Sequence, residues 1–279
     1  MNNTLSQKEA KLIDFLQKLP TPALAFSGGV DSALLLAACQ KAKVDIKVFT
    51  AITPMMPAFE KTDVMRLVFE LDFKVAFVYP NPLGLPEFCS NDAKRCYHCK
   101  KLLFSTIKEE AEKAGCLSLL DGANQDDLGD YRPGMQATKE LGVISPLLEC
   151  GFTKADVRAL AEKYKLSVAK KPAYACLATR IAYGEAVTKE KLAQIEQAEE
   201  ALKALGLKDV RVRHHNNLAR IEVAQQEIEL VSTELRAKII TAVKDAGFAY
   251  VMADGDASFL AVVNATGVCK VYDVTEVGI

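Results

Sequence analysis

Hydrophobic and polar positions change period repeatedly along the first 166 residues. The apolar run Ala23 to Phe26 is too short for a helix; a Gly-rich turn follows, then a helical pattern from about Asp31 to Ala42. The cycle repeats with a strand over Asp45 to Ile52 and a helix through Val64 and Leu71, then with a third strand over Phe73 to Tyr79. After a long connection come a helix from about Cys99 to Ala114, a fourth strand at Leu117 to Leu120 and a short fifth at Val143 to Ser145. Ser6 with Glu9 predicts a capping box for the first helix, and Thr153 with Asp156 caps the helix after the fifth strand. Strands alternating with helices imply a parallel sheet covered on both faces, the doubly wound α/β arrangement.

Past Leu166 the rhythm breaks. KKPAYACLATRIAYG is rich in turn formers and has no period. A helix over Thr188 to Leu205, alternating strands at Val210 to His214 and Ala219 to Val223, a helix over Thr233 to Ala246 and a strand at Ala249 to Ala253 then make an αββαβ unit. The expected organisation is an α/β domain over 1–168 and, over 169–279, an aperiodic loop followed by a smaller C-terminal α+β domain. Length alone fits two domains, and the half of the residues that are apolar suffice for a core in each.

Charge and cysteine content narrow the class. Thirty-five Lys and Arg against 36 Asp and Glu leave a net charge of -1, without the basic excess of a nucleic-acid binder. The start MNNTLSQKEA has no charged segment leading into an apolar one, and no apolar run approaches the ~20 residues of a membrane helix. Eight unevenly spaced cysteines do not form a secreted disulfide framework and point to a reducing compartment, so a cytoplasmic location is expected.

Candidate chemistry starts at Ser27-Gly28-Gly29-Val30-Asp31-Ser32, between the first strand and the helix after it. Two glycines let the backbone turn sharply and approach a ligand, and the helix N-terminus offers N–H groups and a positive dipole end to phosphate. Ser27 and Ser32 add hydroxyls, and Asp31 suits an anion site if it holds Mg²⁺. No Lys follows the glycines, so the Walker pattern is absent. The hexapeptide instead resembles the PP-loop of the ATP pyrophosphatase superfamily, which cleaves ATP to AMP and pyrophosphate. An ordinary serine-capped turn is the bland alternative. Adenylylation has a clear chemical purpose: a carboxylate oxygen leaves poorly, and AMP leaves well.

Cys96 and Cys99 form a C-x-x-C at the start of a predicted helix, and Cys176 stands in ACLATR beside Arg180. Helix N-termini and nearby Arg favour thiolates, so these three suit reactive thiols or metal ligands. A structural zinc site needs four ligands, with His98 and Cys176 as the available extras; three cysteines holding an iron–sulfur cluster with one open iron is the other option. Cys39 and Cys116 read as small core residues, and Cys89, Cys150 and Cys269 carry no signal.

Taken together, SGGVDS, RCYHCKKLLF, DGANQDDLGDYRPG, SPLLECGFTKADVR, KPAYACLATRIAYG and RVRHHNNLARIEV resemble the LarE-type sulfur transferases, in order and over about residues 20 to 255. That family builds the nickel-pincer nucleotide cofactor of lactate racemase by adenylylating pyridinium-biscarboxylic acid mononucleotide and converting carboxylates to thiocarboxylates. The resemblance implies that Cys176 delivers the sulfur. In one branch that cysteine is consumed to dehydroalanine; in another, which the Cys96 and Cys99 pair resembles, a [4Fe–4S] cluster on Cys96, Cys99 and Cys176 carries an extra sulfide. Arg211 and Arg213 alternate on one strand and so face one side, where they suit a substrate phosphate or carboxylate, although a solvated face would look the same. Tyr97 and Arg180 are expected to line the substrate site. Asp126 and Asp127 either hold Mg²⁺, Asp127 being the tentative ligand, or order their loop. His214 and His215 are expected to be structural. ATP, a small nucleotide substrate, a sulfur-donor desulfurase and a homo-oligomer are the implied partners.

Three rivals remain open on sequence grounds. A tRNA thiolase of the same superfamily is disfavoured by the near-neutral charge and by the lack of an RNA-binding appendage. An ammonia-using ligase leaves the C-x-x-C and Cys176 unemployed. A non-catalytic nucleotide sensor predicts ATP binding without pyrophosphate release.

Overall fold

A computed structural model describes residues 4–129, 133–254, 259–263 and 269–273. They divide into two compact units. The first comprises the chain up to Phe88 and from Asp92 to Tyr174; the second takes Cys89–Asn91 and continues from Ala175. The pattern along the chain predicts a boundary at 168/169 and carries no signal for the three-residue excursion.

Unit 1 runs α1 (Leu5–Gln17), β1 (Pro22–Ala25), α2 (Val30–Ala42), β2 (Lys47–Ala51), α3 (Ala58–Glu70), β3 (Val75–Val78), α4 (Pro86–Cys89), α5 (Arg95–Lys113), β4 (Ser118–Leu120), α6 (Pro133–Glu140), α7 (Pro146–Glu149) and α8 (Lys154–Lys163). Its strands are all parallel in the order β3-β2-β1-β4. Alternate residues of β1 enter different cores. Leu24 joins the apolar residues of α1, α2, α3 and α8, whereas Ala23 packs with Ile107 and Ala111 of α5. The sheet is therefore covered on both faces, which explains why its strands read as apolar runs and not as alternating ones.

Two expectations shift. The cap of α1 is Thr4 with Gln7, not Ser6 with Glu9: the helix starts at Leu5, and Glu9 turns inward to Lys41, Lys163 and Tyr164. The fifth strand reduces to one bridge between Ile144 and Leu120, because Pro146 opens α7 and has no N–H to extend a ladder.

β1 leads to β2 on one side, while β4 lies on its other side, so the order reverses between β1 and β4. In open α/β sheets ligands bind in the crevice beyond the carboxyl ends of strands at such a reversal. The segment Ser27–Gly29 after β1 and the segment Asp121–Asn124 after β4 border it.

Unit 2 contains α9 (Lys189–Ala204), β5 (Arg211–His215), β6 (Leu218–Glu222), α10 (Ile228–Ser232), α11 (Arg236–Asp245), β7 (Tyr250–Asp254), β8 (Phe259–Val263) and β9 (Cys269–Asp273), with the strands ordered β5-β6-β7-β8-β9. The expected αββαβ core is present, and β8 and β9 extend it beyond what the sequence pattern indicated. Asn216, at φ 54°, turns the chain between β5 and β6, a conformation that Asn tolerates better than most residues. Val212, His214, Ala219 and Ile221 point into the core, which leaves Arg211, Arg213, Arg220 and Glu222 on the opposite face. Among the described residues no helix is long and apolar enough to cross a membrane.

Candidate active site

The loop after β1 is built for close approach. Gly28 has φ +74°, and a Cβ there would sit 2.7 Å from Val64 Cγ2, so only glycine fits. The loop is braced internally: Ser32 Oγ donates to the Gly29 carbonyl (3.1 Å), and Gly29 N donates to Ser27 Oγ (3.4 Å). Gly29 caps α2 without a side-chain bond, so the first-turn N–H groups at Val30 and Asp31 are left for a ligand. The loop after β4 comes equally near. A Cβ on Gly122 would lie 3.0 Å from Asp31 Cβ and 3.1 Å from Ser32 N.

Asp31 is held by two groups that no local sequence pattern singles out. Lys154 Nζ makes a short ion pair with Asp31 Oδ2, and Asn124 Nδ2 donates to Asp31 Oδ1 (3.0 Å). Lys154 follows the α8 cap Thr153, which places an ammonium at the loop that lacks a Walker lysine. Its only sequence signal was its place just after a strong cap inside SPLLECGFTKADVR.

The neighbouring aspartates, expected either to hold Mg²⁺ or to order their loop, both accept from backbone amides. Asp126 accepts from the Lys154 amide (2.9 Å) and Asp127 from the Asn124 amide (2.9 Å), so both order the segment that presents Asn124 and Lys154. Asp121 is buried and accepts from Ser145 Oγ (2.6 Å) and the Ala123 amide (3.1 Å). The chemistry of the Asp31 carboxylate, a hard oxygen donor 21% exposed at the loop, fits a magnesium ion carried in with a triphosphate.

Cys96 and Cys99 lie one turn apart at the start of α5, half-buried and outside any disulfide. The buried Arg95 directs Nη2 at Cys96 Sγ (4.0 Å). Tyr97, expected at the substrate, instead gives its hydroxyl proton to Glu140 Oε2 (2.8 Å) and accepts from Lys101 Nζ (2.8 Å), tying α5 to α6. Cys39 is fully buried, and burial pushes its thiol up to about 12; burial also raises Cys116 and Cys150. These three are packing residues. Cys269 lies outside the residues with described side chains.

In unit 2, Cys176 is exposed at the start of a single 3₁₀ turn, Leu177–Arg180. Arg180, also expected at the substrate, is one of the most buried side chains of the protein: its Nε donates to Glu199 Oε1 (2.9 Å) and its Nη1 to the Ala175 carbonyl (2.8 Å). Its guanidinium therefore holds the cysteine turn from beneath. Arg213 donates from Nη1 to the Thr179 carbonyl (2.8 Å) and from Nη2 to Glu222 Oε2 (2.8 Å), whereas Arg211 is exposed beside it. His214 is buried on α9 through Gln194 (3.2 Å), and desolvation, aided by Lys191, lowers its pKa. Among the described residues no group of three His, Cys, Asp or Glu side chains stands together as a metal site. Cys96 and Cys99 belong to one unit and Cys176 to the other.

No family model matches the chain. A Synechocystis sp. protein described as uncharacterised is 36% identical over 252 residues, 90% of this chain and 94% of that one. The pyridinium-3,5-bisthiocarboxylic acid mononucleotide synthase of Lactiplantibacillus plantarum is 35% identical over 227 residues, 81% of this chain and 82% of that protein. Among solved structures, NMN synthetase from Francisella tularensis matches with a TM-score of 0.50 and 14% identity over 62% of this chain and 76% of that one, a likeness of fold. Fold and glycine loop together define a protein of the PP-loop class. Within that class, the chain belongs to the LarE-type family of pyridinium-3,5-bisthiocarboxylic acid mononucleotide synthases.

Proposed function

We propose that this protein is an ATP-dependent sulfur transferase that adenylylates a carboxylate of pyridinium-biscarboxylic acid mononucleotide, releases pyrophosphate, and converts the acyl adenylate to a thiocarboxylate with sulfur delivered at Cys176. One observation carries this reading: a PP-loop braced by its own serines, with Asp31 and Lys154 at its mouth, occurs in the same chain as an exposed cysteine on a buried polar frame. The α2 terminus and the exposed Ser27 hydroxyl bind phosphate oxygens. The buried Ser32, whose hydroxyl proton goes to the Gly29 carbonyl, shapes the loop and does not meet the nucleotide, contrary to expectation. Asp31 would hold magnesium, which neutralises charge as pyrophosphate leaves. Lys154 then exchanges its partner Asp31 for the phosphates, the role that the Walker lysine plays elsewhere. Arg211 anchors an anionic group of the substrate, and Arg213 joins that anchor to the cysteine turn.

Cys96, Cys99 and Cys176 are three thiols outside disulfides, a donor set of the kind that binds a [4Fe–4S] cluster and leaves one iron open. Such a cluster would supply a labile sulfide. A second reading rests on Cys176 alone, exposed at the start of its turn in unit 2. In it, the Cys176 thiolate attacks the acyl carbon and AMP departs. Loss of the Cα proton to solvent then breaks the Cβ–S bond, leaving the thiocarboxylate and dehydroalanine. Both readings place the sulfur at Cys176. Pyrophosphate release that requires both ATP and the dicarboxylate nucleotide tests the shared part: a protein that binds ATP and releases none is a sensor.

A further inference from the structure

Arg180 and Glu199 form a buried ion pair, 0% and 2% exposed. Such pairs contribute little net stability, since desolvating both charges offsets most of their attraction. Their hydrogen bonds show what the pair organises. Arg180 Nη1 reaches the carbonyl of Ala175 (2.8 Å), the hydroxyl of Thr179 (3.0 Å) and, more distantly, the carbonyl of Cys176 (3.5 Å). Glu199 Oε1, besides taking Arg180 Nε, accepts from the Val212 amide (3.0 Å), the residue between Arg211 and Arg213 on β5. The Thr179 hydroxyl donates in turn to the Cys176 carbonyl (2.8 Å), and a bridge joins Ile181 to His214. One carboxylate and one guanidinium thus connect the turn that carries Cys176, the helix α9 and the strand that carries the arginines.

We propose that the Arg180–Glu199 pair is a positioning device that fixes the Cys176 turn relative to the arginine strand, so that the sulfur meets a carboxyl carbon whose anionic end is held on β5. This rests on the proposed sulfur transfer and names two residues that act through Cys176 without touching substrate. The geometry explains why a costly pair is kept where apolar side chains would fill the space: only a fork of donors can hold Glu199 through Nε and Nη2 while Nη1 reaches the turn.

The test uses Arg180→Met with Glu199→Gln, which removes both charges and leaves an acceptor for the Val212 amide. In the ligand-free protein the Thr179 and Ile181 amides donate to Cys176 and Ala178 carbonyls, and their hydrogen exchange in the variant is expected to be at least about tenfold faster, as for a locally opened segment. Amides within α9 should keep their protection. In turnover, kcat for sulfur transfer should fall about a hundredfold, the scale of a 1 Å misplacement, while the substrate's dissociation constant and the pyrophosphate burst of the first turnover stay at wild-type values. A folded variant with wild-type exchange at the turn and wild-type kcat overturns the proposal. Should the double variant not fold, Arg180→Lys, which keeps the charge and loses the fork, decides in the same two assays with an intermediate loss expected. If the wild-type protein releases no pyrophosphate, the functional proposal fails, and the exchange measurement on the ligand-free protein still decides the positioning claim.

Discussion

Replacing Lys154 with Met removes the ammonium from the mouth of the nucleotide loop and keeps the length of the chain. Lys154 and Asp31 are 32% and 21% exposed, so their pair is partly solvated. Such pairs contribute about 0.2–1 kcal/mol to stability. At roughly 2–4 °C per kcal/mol for a chain of this size class, Tm should fall by no more than about 4 °C. Phosphate binding should suffer far more. A charge-assisted hydrogen bond contributes about 1.5–3 kcal/mol, which corresponds to a loss of roughly ten- to a hundredfold. The assay follows pyrophosphate from ATP with the dicarboxylate nucleotide saturating, beside direct titration of ATP. Both ATP affinity and pyrophosphate formation should drop within that range while the melting curve barely moves. Wild-type values for both would show that Lys154 only pairs Asp31 and never meets the nucleotide.

Asp31→Ala should lower pyrophosphate formation by orders of magnitude, since it removes the proposed metal ligand; near-normal turnover would refute that role. Arg211→Ala should weaken substrate binding about tenfold with Tm unchanged, whereas Arg213→Ala should also destabilise unit 2 by about 1–3 kcal/mol, because Glu222 and the Thr179 carbonyl lose a donor. Titration and thermal melting separate the two variants. Glu9 supplies a pH test of the fold: burial pushes its carboxyl up, but hydrogen bonds from Lys163, Lys41 and Tyr164 outweigh this and hold it at about 2 against an ordinary 4.5. A depressed carboxylate stabilises above its unfolded pKa and loses that contribution as pH falls through its folded value. The stability gap between wild type and Glu9→Gln, roughly 1–3 kcal/mol at neutral pH because the lysines are half exposed, should therefore close between pH 4.5 and about 2 in urea titrations.

Much of this architecture was legible because period and cap are local properties. SGGVDS announced its strand–turn–helix setting, Thr153 with Asp156 capped α8 as expected, and the alternation of Arg211 with Arg213 put both on one face of β5. What escaped depends on contacts far apart in sequence. Lys154 reaches Asp31 across 123 positions and Asn124 across 93, and no local pattern announces either. The family resemblance puts Arg180 at the substrate; Glu199, 19 positions later on α9, draws its side chain inside. Tyr97 likewise reads as a site residue until Glu140 and Lys101 occupy its hydroxyl.

The route of the sulfur bears on the whole account, and intact mass with iron content reads it out after anaerobic reaction with ATP and the dicarboxylate nucleotide. If the three cysteines hold a cluster, Cys96→Ala, Cys99→Ala and Cys176→Ala each lose iron and sulfur transfer together, and the spent wild-type protein keeps its mass. Thiocarboxylate formed by both Cys96→Ala and Cys99→Ala, with spent protein lighter by the elements of H₂S, would contradict that route and identify Cys176 as the consumed donor. Thiocarboxylate formed by Cys176→Ala would contradict the central claim itself.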